Sequence, residues 1–167
     1  MQANVEITSL LPEHWNAARE IYLQGIATKS ATFQTQAPTW EEWDQGHLPN
    51  LRYVVLWNGQ VVGWAALSRV SGRCVYAGVT EVSLYVHEDF RAKGIGKLLL
   101  QHLIEESEQV GIWTLQSGIF PENAASIALH EKLGFRKVGY REKIGKLDGL
   151  WRDTILMERR SRLVGTT

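Results

Sequence analysis

The sequence predicts an α+β domain (α/β in some schemes) with helices on both faces of a mixed, mostly antiparallel twisted sheet of six to seven strands. Three observations carry that expectation. Period-2 and period-3.6 patterns alternate in the order β-α-α-β-β-β-α-β-α-β-β. Asn58-Gly59 separates two strand-like runs, as a tight antiparallel hairpin requires. No repeat or linker divides the 167 residues, which suit one domain with one sizeable core.

The elements follow in order. Val5 to Ser9 reads as a strand, and Pro12 opens a helix running to about Ala27, with Trp15, Ala18, Ile21 and Tyr22 on one face. Residues 29–38 read as loop, and Thr39 can cap a short helix carrying Trp40 and Trp43. Tyr53 to Trp57 and Val61 to Leu67 form the hairpin, and Arg69 to Gly78 is a further loop. Val79 to Val86 alternates, with Val82, Leu84 and Val86 on one side and Glu81, Ser83 and Tyr85 on the other. Ile95, Leu99, Leu100, Leu103 and Ile104 mark a helix that Gly111 ends. Ile112 to Ile119 is a strand, Asn123 caps a helix closed by Gly134, and 135–144 and 150–159 are a final antiparallel pair. The tail after Arg160 is expected to fray.

Composition narrows the function. Lys plus Arg and Asp plus Glu both total 18, so the net charge is zero and no basic excess argues for nucleic acid. Cys74 is the only cysteine, which excludes an internal disulfide and fits a reducing compartment. The first residues lack a secretion-signal pattern, and no apolar run nears the roughly 20 residues that span a bilayer, so a cytoplasmic protein without a membrane role is expected. Five scattered histidines suggest no metal site, Cys74 has no adjacent base, and most of the seven tryptophans fall at core positions.

Strand, then Arg91-Ala92-Lys93-Gly94-Ile95-Gly96, then helix is a geometry suited to anions. The glycines admit close approach, the helix start offers free N–H groups, and Arg91 and Lys93 add charge. A dinucleotide fingerprint would need a third glycine where Leu99 stands, and a Walker loop would need glycine near Arg91 and Ser or Thr at Leu98. Both nucleotide patterns fail. Taken alone, the hexapeptide fits an ordinary strand-to-helix turn equally well.

With the later run Asn123-x-x-Ser126-x-x-x-His130-Glu-Lys-Leu-Gly134-Phe135, the chain resembles the GNAT superfamily of N-acetyltransferases over nearly its whole length. Residues 80–86, 123–131 and 149–153 are similar to the phosphinothricin and methionine sulfoximine acetyltransferase branch. The resemblance implies splayed central strands holding acetyl-CoA, a small amino-acid-like amine as acceptor, and a homodimer. It implies a cofactor-binding set of Leu84, Tyr85 and Val86, the loop Arg91, Ala92, Lys93, Gly94, Ile95, Gly96 and Lys97, and Asn123 and Ser126. A helix-capping role alone also explains Asn123 and Ser126.

Glu81 is the expected general base, a role that contributes roughly 10²–10⁴-fold; a solvent-facing or ammonium-binding glutamate fits the same position. His130 stands where many relatives carry a tyrosine near the thioester sulfur, either as proton donor or as a buried helical histidine. Substrate contacts are expected from Phe33, Arg73, Glu81, Val82 and Ser83, with Arg69 beside Arg73 as a second candidate for a carboxylate. Core packing explains Phe33, and solvent exposure explains the arginines, equally well. A protein N-terminus or a polyamine as acceptor, and a non-catalytic acyl-CoA sensor, are the competing functions.

Overall fold

Alternating apolar positions in the strands supply two buried faces, and the amphipathic helices cover both. The computed structural model describes residues 1–167. In chain order the elements are β1 (Val5–Ser9), α1 (Trp15–Ala27), α2 (Trp40–Gly46), β2 (Arg52–Trp57), β3 (Gln60–Arg69), β4 (Val79–Val86), α3 (Ile95–Gln109), β5 (Thr114–Ile119), α4 (Ala124–Lys132), β6 (Arg136–Leu147) and β7 (Leu150–Arg160). This is the expected order. The sheet runs β1-β2-β3-β4-β5-β7-β6, and β4 with β5 is its only parallel pair.

Tyr53, Val55, Ala65, Leu67 and Val82 face α3 and α4, where Leu99, Leu100, Leu103 and Ile127 complete one core cluster. Val54, Trp64 and Ala66 face the other way and meet Trp15, Ile21, Tyr22 and Trp43 of α1 and α2. Burying each such side chain fully contributes about 1.5–3 kcal/mol. Thr39 Oγ1 accepts from Glu42 N at 3.2 Å, which is the cap expected of it.

Most strand boundaries shift by a residue or two, β3 extends to Arg69, which the sequence reading gave to the loop, and α1 opens at Trp15 after a 3-10 turn at Pro12–His14; three further differences stand out. The strand expected from Ile112 starts at Thr114, because Ile112 N still donates to Ser107 O and closes α3. β6 runs past Ile144 to Leu147, where Asp148 and Gly149, both with positive φ, make the turn into β7. The tail expected to fray is anchored as far as Gly165: Arg160 donates to the carbonyls of Ser161, Val164 and Gly165 at 2.8 Å each.

Candidate active site

The sheet parts at its centre. β4 pairs with β3 from Thr80 to Val86, but with β5 only at Val79↔Thr114, Thr80↔Leu115 and Glu81↔Gln116. β5 follows β7 instead, out to Ile119↔Ile155. From Val82 onward one edge of β4 therefore has no strand partner, and its backbone groups on that side are free to bond a ligand. Two clefts meet at this gap, sharing Ala31, Leu84, Tyr85 and Asn123. The outer one, about 460 Å³, runs toward Arg91 and the start of α4; the inner one, about 300 Å³, holds Glu81 and His130.

Beyond the outer cleft, β4 leads through a 3-10 turn into the glycine loop and α3. Gly94 adopts φ +81°, a left-handed conformation that disfavours other residues, and a Cβ there would meet nothing within 4 Å. The helix begins only with Leu98 N donating to Gly94 O, so the N–H groups of residues 91–97 donate to no protein acceptor. Seven consecutive free amides, at the positive end of a 15-residue helix and beside Arg91, Lys93 and Lys97, fit a diphosphate. Ala92 also has positive φ, a feature the sequence pattern does not announce.

Tyr85 turns its side chain away from this edge. Its ring stacks on Tyr22 at 4.8 Å and on Trp64 at 5.0 Å, and burial pushes its phenol well above the ordinary range. Gly25 makes room for that ring, since a Cβ there would lie 2.8 Å from Tyr85 Cδ1. A mid-helix glycine is unfavourable by itself, and close approach is its reason.

The inner cleft gathers Phe33, Glu81, Val82, Ser83, Ser126 and His130. Glu81 is exposed, whereas Val82 is buried in the α3 core. Asn123 Oδ1 caps α4 by accepting from Ser126 N at 3.2 Å, and its Nδ2 donates to Ser30 O at 3.4 Å. His130 is 2 % exposed. Its Nδ1 lies 2.7 Å from Ser126 O, a group that only accepts, so Nδ1 carries the hydrogen. Burial holds the imidazole below its ordinary pKa, partly offset by that bond. A neutral ring so fixed leaves a lone pair on Nε2, which is buried without a partner. Donating a proton from this position requires Nε2 first to take one up.

Arg73 does not line the cleft. It precedes a short 3-10 turn, and its guanidinium lies 5.5 Å from the ring of Tyr76, while Arg69 lines a separate depression beside His47. No arginine or lysine lines the inner cleft. Sequence reasoning missed Thr32, Gln34, Ser117, Phe120 and Thr154, which do line it. Phe120 was findable, as an apolar residue just after β5 and before the cap Asn123. The others are small polar side chains with no spacing signal.

Residues 11–135 match the model of the acetyltransferase (GNAT) family. The chain belongs to that family. Among relatives of this GNAT acetyltransferase, YwnH of Bacillus subtilis (strain 168), whose name marks it provisionally as a phosphinothricin acetyltransferase, is 35 % identical over 150 residues, 86 % of this chain and 92 % of that one. An L-methionine sulfoximine/L-methionine sulfone acetyltransferase of Pseudomonas aeruginosa is 38 % identical over 100 residues, 60 % of this chain and 58 % of that one. A phosphinothricin acetyltransferase from Sinorhizobium meliloti, solved in complex with AcCoA, superimposes with a TM-score of 0.86 at 28 % identity, covering 98 % of this chain and 91 % of that one. The GNAT fold expected from the sequence is thus the fold of the chain.

Proposed function

We propose that this acetyltransferase uses acetyl-CoA to acetylate the amine of a small amino-acid-like acceptor, of the phosphinothricin or methionine sulfoximine type, by direct transfer. The observation that carries the reading is the parting of β4 from β5 immediately after Glu81. It leaves a free strand edge for the pantetheine arm, running from the carboxylate toward the open amides of residues 91–97. Acetyl-CoA, when bound, supplies a thioester whose carbonyl carbon is the electrophile. Backbone donors along Leu84–Val86 polarise that carbonyl, and preorganised amides suit charge that grows during reaction. Glu81 takes the proton of the amine as its nitrogen bonds the carbonyl carbon and the C–S bond breaks, and His130, once protonated at Nε2, would give that proton to the departing coenzyme A thiolate. Arg73 remains the proposed partner of an acceptor carboxylate, reached from its loop rather than from the cleft wall.

The cytoplasm and a homodimer belong to the same proposal. A single exposed thiol at Cys74 suits a reducing compartment, and edge strand β6 with its hairpin exposes Val138, Tyr140, Ile144 and Trp151. Light scattering at micromolar protein tests the dimer.

Thiol release from acetyl-CoA, followed with a panel of amines, tests the function. Turnover with methionine sulfoximine or phosphinothricin is expected. Turnover only with spermidine or with a peptide N-terminus would replace the acceptor, and no turnover with any amine would replace the enzyme by an acyl-CoA sensor.

A further inference from the structure

The segment between α1 and α2 roofs both clefts: Thr28 and Ser30 line the outer one, and Thr32, Phe33 and Gln34 the inner one. Three polar contacts tie it across the gap. Lys29 Nζ meets Asp148 at 3.0 Å with both side chains 54 % exposed, a geometry of small worth in water. Asn123 Nδ2 reaches Ser30 O at 3.4 Å, which is long for such a bond. The third, Arg152, is of a different kind. Its side chain is 19 % exposed, Nη1 donates to Lys29 O at 2.8 Å, and Nη2 lies 3.3 Å from Glu122 Oε2. The guanidinium face covers the Phe120 ring at 4.2 Å. Phe120 in turn packs edge-on against Phe33 at 4.9 Å. Lys29 itself has φ +59°, an uncommon conformation for a long side chain that something must hold.

We propose that Arg152 is the positioning residue that latches the α1–α2 segment over the gap and so sets the fit of the acceptor pocket. It touches no reacting atom. It acts through Lys29 O on the roof and through Phe120 on Phe33, two phenylalanine walls of the inner cleft. A planar, forked cation bonds a carbonyl and a carboxylate with its edges while stacking with its face; an ammonium does not do all three. The proposal rests on the inner cleft being the acceptor site.

The test compares wild type, Arg152→Ala and Arg152→Lys. Arg152→Ala is expected to raise the acceptor KM about tenfold, with kcat and the acetyl-CoA KM held within about twofold. Arg152→Lys recovers less than half of that loss, whereas millimolar guanidinium ion lowers the KM of Arg152→Ala and leaves wild type unchanged. A second readout needs no substrate: native-state trypsin cleavage after Lys29 should quicken several-fold in Arg152→Ala, with other sites unaffected. An unchanged acceptor KM with unchanged cleavage at Lys29 overturns the latch. So does a uniform rise in cleavage along the chain with a lowered Tm, which is the mark of a general packing role. Should wild type acetylate no amine, the proposed function fails, and selective cleavage at Lys29 still decides the latch.

Discussion

The glycine loop and the inner cleft, which lie on either side of the gap, are built in opposite ways. The loop, beyond the outer cleft, is a single run of backbone, residues 91–97, whose free amides are fixed by one left-handed glycine and one helix start. The inner one draws side chains from the α1–α2 roof, β4, the end of β5, α4 and β7. A backbone cradle binds what every backbone can bind, an anionic diphosphate, and tolerates substitution of its side chains. A pocket assembled from five segments changes shape with any one of them. On the proposed reading, the common donor therefore ends on the loop and the choice of acceptor lies with the inner cleft.

Variants at each end should separate the two functions. The largest effect is expected in the inner cleft, where β4 parts from β5: Glu81→Gln should lower turnover about 100-fold, with acetyl-CoA affinity unmoved in equilibrium titration. Equal turnover across pH would remove Glu81 from the chemistry. Next, Gly94→Val places a branched side chain at φ +81°, a strain of roughly 1–2 kcal/mol. It should weaken acetyl-CoA binding about tenfold and leave the acceptor KM alone; a change confined to the acceptor would reverse the assignment of the clefts. Phe33→Ala is the converse probe, since its ring walls the inner cleft only, and should raise the acceptor KM several-fold.

The smallest effect concerns protons. Burial holds His130 and His47 below their ordinary pKa. The unfolded chain takes up protons at both rings near pH 6.5, whereas the folded chain does so only at lower pH. Between those limits the unfolded state binds more protons, so stability falls as pH drops below about 6.5 and is unaffected above it. His130→Phe should flatten that slope in denaturant titrations at pH 5.5 and 7.5. If turnover of this variant matches wild type, His130 is a packing residue.

The contrast also explains what the sequence disclosed. Every α-helix and strand was legible in order, because alternation and caps such as Thr39 and Asn123 are local signals. Gly94 and the helix start at Ile95 were legible for the same reason. The parting of β4 from β5 was not, since it depends on β5 turning to follow β7, forty residues further along the chain. Thr32, Ser117 and Thr154 reach the cleft only through that topology, and nothing in their neighbours marks them. Arg73 shows the reverse: a persuasive residue type in a suggestive loop, set outside the cleft wall. The anchored tail depends on Arg160 bonding carbonyls, which no periodicity reveals.

On the proposed function, acetyl-CoA lies along the free edge of β4 and on the open amides of the glycine loop. Amide hydrogen exchange with and without acetyl-CoA tests it directly, because it reads those N–H groups themselves. Added acetyl-CoA should slow exchange in residues 82–86 and 91–97, with little change in β1, β2 or β6. Protection that spares both segments while appearing elsewhere would place acetyl-CoA at another site.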